Sequence, residues 1–414
     1  MMNKKEFTNI CWMIMEKGIL VIGFFLVTAY VAKYLGPSMV GDISYIYAIY
    51  QMLQVISKWG SENVIFRRTS KNPESGCRCL QSSGMIRMGI MIFLSLPIEM
   101  YFYFTKDTTF LILSVAIAIS SLFSVLDVYA VYYNARLMSR NNTVINSLGL
   151  IINLCLRSLI VVMALKPIWL GLPILITTGI PFFLRKTTYK LYHSVQIKKK
   201  RKYQQYLFHN GKHIVFSSLS IVLYNQCQNF FIYYFCGGAQ LGIYSVSLTL
   251  ATGAGIFINA LITSCFVAIY SEVSEQRVKE KAAILLRTVA MISLIINFII
   301  MSMSEIIITK LYGHTFIEAR EPMIILLFSS TLSLMGSVTY RYIIHYSGFY
   351  YLSIKTGLSL ILSILISGIM TKIYGITGAA LASVIVELLS LTILNYFFKK
   401  QAVLKMHWHS IRGR

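Results

Sequence analysis

The feature that most constrains this chain is a succession of apolar runs, each bounded by short polar segments. Along its 414 residues they fall at 10–32, 40–57, 84–104, 109–133, 143–163, 168–184, 213–236, 243–270, 283–303, 323–340, 351–371 and 376–398. A hydrocarbon layer of ~30 Å is crossed by about 20 helical residues, so nearly every run is long enough. Lipid offers backbone groups no hydrogen-bond partners, which makes a helix the only way such a run can satisfy itself alone. No ten-residue alternating pattern of a membrane barrel is present. The expected class is an all-α polytopic membrane protein with about twelve transmembrane helices.

Composition agrees. Hydrophobic residues make up 56% and charged residues 13%, against about a quarter charged in a soluble domain. Lys4, Lys5 and the apolar run after Ile10 could open a signal peptide. That run is long, carries Glu16 and Lys17 and lacks a small-residue cleavage site, so it reads as the first span. The chain holds 38 Lys and Arg against 15 acids, a formal net charge of +23. With the N-terminus inside, 27 of the 38 lie in inside segments and 6 in outside ones. That asymmetry predicts a multi-pass protein with both termini cytoplasmic. The charge thus sets topology and implies no nucleic-acid partner.

The longest polar interruption, 185–212, holds nine Lys or Arg and no acid. It divides the chain into an N-terminal six-helix lobe (1–184), a basic connector (185–212), a C-terminal six-helix lobe (213–398) and a basic tail (399–414). The segment Leu35-Gly36-x4-Gly41 recurs as Cys236-Gly237-x4-Gly242, offset by 201 residues. Equal topology in the two halves predicts parallel repeats, and Gly36, Gly41, Gly237 and Gly242 are candidate turn or hinge positions.

A charge inside a span costs ~2.5–3.5 kcal/mol on insertion scales, so it faces a bundle interior or a wet cavity. Nine positions qualify: Glu16, Lys17, Arg87, Glu99, Asp127, Arg157, Arg287, Lys355 and Glu387. Polar residues also fall on helical stripes. The second run carries Ser44, Tyr47, Gln51, Gln54 and Lys58; the fourth, Ser120, Ser124 and Asp127; the fifth, Asn146, Asn153 and Arg157. The seventh run pairs Asn225 with Asn229, flanked by Gln226 and Gln228, and the eighth carries Thr249, Thr252, Asn259 and Thr263. A single Ser or Thr is ordinary glue between membrane helices. Stripes that also carry charges or paired amides are expected to line a hydrated lumen. Surplus positive charge there implies an anionic cargo, and guanidinium suits phosphate oxygens. The candidate cations are Lys17, Arg157, Lys58 and Arg87. The candidate polar lining is Gln51, Gln54, Asn153, Asn225, Asn229 and Asn259. Asp127 and Glu16 are candidates for coupling to a proton or sodium gradient, although Asp127 could instead pair with Arg157.

The chain carries no phosphate-binding loop, zinc-protease or serine-hydrolase motif and no large extramembrane domain, so neither an enzyme nor a nucleotide-driven pump is expected. Its seven cysteines sit mostly in apolar runs and imply no disulfide framework. No metal or other cofactor is called for. His407-Trp408-His409 in the tail resembles a metal-binding fragment only superficially and reads as a disordered surface.

Four turns carry a family resemblance. Tyr34-Leu35-Gly36-Pro37-Ser38-Met39-Val40-Gly41 resembles the signature of polysaccharide flippases in the multidrug/oligosaccharidyl-lipid/polysaccharide (MOP) exporter superfamily. Gly237-Gly238-Ala239-Gln240-Leu241-Gly242, Leu311-Tyr312-Gly313-His314 and Tyr374-Gly375-Ile376-Thr377-Gly378 resemble its later turns, in order. The chain is most similar to Wzx-type O-antigen flippases. The resemblance implies two six-helix lobes in a V, as in the MATE transporters, around a cationic cavity that rocks between inward- and outward-open forms. It implies a cargo of one oligosaccharide unit on undecaprenyl pyrophosphate, moved from the cytoplasmic to the periplasmic leaflet during lipopolysaccharide or related surface-polysaccharide biosynthesis. Membrane lipids, a polymerase and a chain-length regulator are the implied partners. Relatives often place a cation in the eighth helix, where this chain has none, which shifts the load to the first-half cations. The alternatives are a cation-coupled drug antiporter of the same superfamily and an integral-membrane glycosyltransferase or polymerase.

Overall fold

The computed structural model describes residues 4–136, 138–192, 200–272, 274–399 and 401–412, without the side chains of 4–22, 24, 139, 190–192, 200, 213 and 267. Among the described residues there are helices and no strands. They run α1 (Lys4–Lys58), α2 (Ser61–Lys71), α3 (Pro73–Thr105), α4 (Thr108–Leu126), α5 (Tyr129–Ala135), α6 (Ser139–Val162), α7 (Gly171–Tyr192) and α8 (Lys200–Cys236). There follow α9 (Gly238–Gly253), α10 (Gly255–Tyr270), α11 (Glu275–Ser302), α12 (Ser304–Ile307), α13 (Arg320–His345), α14 (Phe349–Leu391), α15 (Ile393–Tyr396) and α16 (Ala402–Arg412).

Eight stretches are long and apolar enough to cross a membrane, and the last, Phe349–Tyr396, contains two of the twelve predicted runs. The chain is an all-α, multi-pass membrane protein. The remaining three runs lie in α1 and α8. Their helices form, and α8 carries Asn225, Gln226, Gln228 and Asn229 within little more than one turn, which lowers its hydropathy. Outward-facing apolar side chains on α3 are widely exposed, Phe93 by 75% and Phe104 by 71%. That is the inverse of a water-soluble surface and what a lipid-facing helix requires.

Two long helices are interrupted by glycine. At Gly36 (φ 75°, ψ 170°) α1 leaves helical geometry, and at Gly375 (φ 60°, ψ −139°) α14 does the same. Gly237 and Gly313 also have positive φ. Each of the four turn motifs supplies one of these glycines, and left-handed or extended-positive backbone is the reason a side chain is disfavoured there.

The chain divides into two compact units. The first comprises Met1–Leu35 with Ile46–Leu219, the second Gly36–Tyr45 with Ser220–Arg414. Within the first, α4 packs on α7 and α3, and α6 on α7. A small core of Val64, Ile65, Leu80, Tyr132, Tyr133 and Leu207 seats α2 against α5 and the start of α8. Within the second, α13 is central, packed by α9, α11 and α14, over a core that includes Phe266, Ala282, Leu286, Val338 and Tyr342. Down α14, Ser359, Ser363, Ser367 and Thr371 form a buried stripe four residues apart, small enough to let helices approach closely.

The ten residues 36–45 pack with the second unit. A Cβ on Gly41 would sit 1.7 Å from the Gly238 carbonyl oxygen, and one on Gly242 would sit 1.9 Å from the Pro37 carbonyl oxygen. Because 37 and 41 lie 201 residues before 238 and 242, the contact is reciprocal. Tyr45 stacks on Tyr233 at 3.8 Å, and the Tyr233 hydroxyl donates to Asp42 at 3.0 Å. Gly36 and Gly237 are therefore turn positions, whereas Gly41 and Gly242 are close-packing positions.

Two readings are corrected by the structure. Helix α7 extends to Tyr192, so Arg185 is an interior helical residue rather than the start of a polar loop. The tail is no disordered surface: α16 forms, with Val403, Met406 and His407 buried against the second unit's core.

Candidate functional site

In the first unit several of the expected lumen residues are already engaged. Arg87 is 1% exposed, and its Nε donates to the Ser61 hydroxyl at 3.0 Å while Nη1 donates to the Val125 carbonyl at 2.9 Å. It ties α3 to α2 and α4. Lys58 pairs with Glu62 at 3.2 Å, one turn away. Gln54 donates to Ser121 at 3.0 Å and accepts from Ser124 at 3.3 Å, so the stripes of the second and fourth runs close on each other. Asp127 forms its ion pair with Arg185, which also donates to Asn146. The expected Asp127–Arg157 pair does not form, because the extra two turns of α7 bring Arg185 to that carboxylate instead. Glu99 accepts from Tyr50 and Ser114.

Arg157 is different. It is half-buried on α6, Tyr47 lies within its electrostatic reach, and its Nε has no hydrogen-bond partner. No carboxylate pairs with it among the described residues. Asn153, one turn earlier, is 2% exposed with its Oδ1 unpartnered. Gln51 is exposed. The side chains of Glu16 and Lys17 lie outside the described residues.

The second unit contains a cavity of about 340 Å³. From α8 it is lined by Tyr224, Asn225, Gln226, Gln228 and Asn229, from α9 by Tyr244, Leu248 and Thr252, from α13 by Ser329, Ser330 and Ser333, and from α14 by Ser383 and Glu387. The wall is ordered by its own hydrogen bonds. The Tyr224 hydroxyl donates to Glu387 Oε1 at 2.7 Å, Gln228 Nε2 to Ser383 Oγ at 3.3 Å, and Asn229 Nδ2 to Gln226 Oε1 at 2.6 Å. Glu387 also bonds Ser333 and lies within electrostatic reach of Lys355.

This arrangement follows from helical spacing. Residues 225 and 229 lie one turn apart on α8, and 383 and 387 one turn apart on the second limb of α14, which Gly375 folds back on the first. The result is a concave surface of amides and hydroxyls with one carboxylate, chemistry that recognises hydroxyl-rich groups. Asn225 and Asn229 line this cavity. Asn259 does not line the cavity and donates to the Gly255 carbonyl of its own helix at 3.0 Å. Tyr224, Ser333, Ser383 and Glu387 were not singled out as site residues. Glu387 carried a signal, as one of the few acids in an apolar run, but its partners come from helices 163 and 54 residues away in sequence. No group of three or more His, Cys, Asp or Glu side chains suited to a metal occurs among the described residues.

A family model described as polysaccharide biosynthesis protein matches residues 30–321. No curated protein sequence matches the chain. Among solved structures it is similar to an inward-facing multidrug resistance MATE family transporter of the MOP superfamily, with a TM-score of 0.67 at 14% identity over 95% of this chain and 94% of that one. It is similar to the lipid II flippase MurJ in an inward closed conformation, with a TM-score of 0.65 at 16% identity over 95% and 91%. A MOP superfamily transporter from Pyrococcus furiosus follows at 0.61 and 14% over 95% and 93%, described as having a binding pocket of reverse polarity.

Proposed function

The chain belongs to the polysaccharide biosynthesis protein family, and on that premise we propose that it is a flippase for an undecaprenyl-pyrophosphate-linked oligosaccharide unit. It moves the unit from the cytoplasmic to the periplasmic leaflet of a bacterial inner membrane by alternating access. Arg157 is the observation that carries the anionic cargo. A guanidinium within a span that no described carboxylate neutralises is costly unless it serves an anion, and a diphosphate matches its fork of donors. At an effective dielectric of ~20 one close charge pair is worth roughly 4 kcal/mol before desolvation, enough to hold a cargo without trapping it. Lys17, on the first helix, is the second cation in this reading. Lys58 and Arg87 drop out, because Glu62 and the backbone occupy them. The amide- and hydroxyl-lined cavity of the second unit receives sugar hydroxyls.

Gradient coupling moves, in this reading, from Asp127 to Glu387. Arg185 already neutralises Asp127, whereas Glu387 opens on a cavity and can exchange a proton or cation with it. The protein performs no bond chemistry and needs no cofactor.

The test is transport of a labelled undecaprenyl-pyrophosphate oligosaccharide in proteoliposomes, with Arg157→Gln as the variant. Transport is expected in the parent and lost in the variant at equal protein incorporation; equal transport by both rejects the assignment. The acidic cavity and the MATE-like fold favour one second reading, a cation-coupled drug antiporter. Uptake of a fluorescent cationic drug by the same vesicles, driven by an imposed gradient, would select it.

A further inference from the structure

Helix α16 divides its circumference into three sectors when its residues are placed at about 100° intervals. Val403, Met406 and His407 face the core. Leu404, Trp408 and Ile411 fall together on the next sector, with Trp408 exposed by 53% and Ile411 by 77%. Lys405, His409 and Arg412 occupy the third. A helix seated on a protein core needs only an apolar and a polar face, so the second, outward apolar sector is surplus to folding.

The basic sector faces a cleft of about 690 Å³, completed by Trp408 and by Lys279 of α11. No carboxylate lines it among the described residues. Of the acids of this region, Glu272 pairs with Lys281 at 2.6 Å, Glu275 with Lys399 at 3.9 Å, and Glu280 accepts from Gln276 at 2.7 Å. The Arg412 guanidinium lies 4.6 Å over the Trp408 ring, joining the basic sector to the apolar one. The level of the cleft follows from the helices around it. The chain leaves its last span at Tyr396, turns through Lys399 and Gln401 at positive φ, and lays α16 against α11, whose residues Glu275–Ser302 are themselves a span. The cleft therefore stands where spans meet the polar boundary of the bilayer.

We propose that this cleft binds the phosphate of an anionic phospholipid of the surrounding leaflet, with the lipid's acyl region lying along Leu404, Trp408 and Ile411. Lys279, Lys405 and Arg412 supply the charge, and Trp408 sits at the boundary between acyl chain and headgroup where its amphipathic ring is favoured. A free phosphate ion would use the basic sector and leave the apolar one without purpose. The site is independent of what cargo the protein carries.

The experiment measures Trp emission of the full chain in nanodiscs whose brominated component is either phosphatidylglycerol or phosphatidylcholine, with Trp408→Phe subtracted to isolate the Trp408 signal. Brominated phosphatidylglycerol is expected to half-quench Trp408 at a lower mole fraction. In the Lys279→Gln/Lys405→Gln/Arg412→Gln variant that mole fraction rises by about fivefold for each cation removed. Arg277→Gln, which removes the same charge outside the cleft, leaves it unchanged. Lys279→Gln alone, which keeps the α16 sequence intact, carries the test should the triple variant fail to accumulate. Equal quenching by the two headgroups, or an unchanged midpoint in the cleft variants, overturns the proposal. Loss of the preference on adding inorganic phosphate also overturns it, because the occupant is then a free anion.

Discussion

Arg87 and Arg157 are both guanidinium groups within spans, and what separates them is partnership. Arg87 is enclosed and bonded to Ser61, Val125 and the neighbourhood of Glu62, so it holds three helices together. Replacing it by Met leaves a buried carbonyl and hydroxyl without donors and is expected to cost roughly 3 kcal/mol, seen as lower membrane abundance and earlier thermal unfolding in detergent. Among the described residues no carboxylate pairs with Arg157 and its Nε has no partner, so Arg157→Gln is expected to keep abundance while transport falls. The two phenotypes should not exchange. Glu387→Gln keeps the Tyr224 hydrogen bond but removes the titratable group. Transport by this variant is expected to become insensitive to imposed proton or sodium gradients, and a retained gradient response removes Glu387 from coupling. None of this ranking is visible from residue type and spacing. In the sequence both arginines are cations in apolar runs; the partners of Arg87 lie 25 to 38 residues away, and no described carboxylate pairs with Arg157.

At the scale of single elements, α16 shows what a short polar-looking tail can hide. Its eleven residues read as a disordered basic surface, yet Val403, Met406 and His407 recur at helical spacing and dock on α11 and α13. The Thr339 hydroxyl donates to the Met335 carbonyl, which leaves its oxygen to accept from His407 Nε2 at 3.2 Å, and the Tyr396 hydroxyl faces Nδ1 at 3.4 Å. Burial first, and the Lys355 ammonium second, push the His407 imidazole down from 6.5 to about 4. Between those values the undocked histidine binds a proton that the docked one does not. Docking is therefore at full strength above about pH 6.5 and is lost as pH falls toward 4, by up to roughly 3 kcal/mol. Amide exchange across 402–412, corrected for its intrinsic pH dependence, should accelerate through that window and flatten in His407→Gln; a flat parent profile contradicts the reading. The glycine turns give the opposite lesson. Gly41→Ala and Gly242→Ala each drive a methyl into a facing carbonyl, and a loss of about 1–3 kcal/mol is expected for either, measured as reduced thermal stability of the purified protein.

For the molecule as a whole, the division into units does not follow the order of the chain. Residues 36–45 come from the first half of the sequence and pack with the second unit. Residues 200–414 expressed alone thus leave Gly238, Gly242 and Tyr233 without their partners, and low membrane accumulation is expected, restored by co-expressing the first half; full accumulation of the isolated half would show that the 36–45 segment is dispensable. The membrane-spanning all-α class, the positions of the apolar runs and the glycine turns were determined by sequence alone. Each is a local property: a run of apolar side chains must be helical in lipid, and a positive-φ turn favours glycine wherever the rest of the chain goes. The tertiary structure alone decided which polar residues are spent and which are available. It gave Asp127 to Arg185 rather than Arg157, closed Gln54 on Ser121 and Ser124, opened a cavity at Asn225, Asn229 and Glu387, and seated the tail helix. Those outcomes depend on which helix faces come within hydrogen-bonding distance, a range of about 3 Å that spacing along a single helix cannot specify.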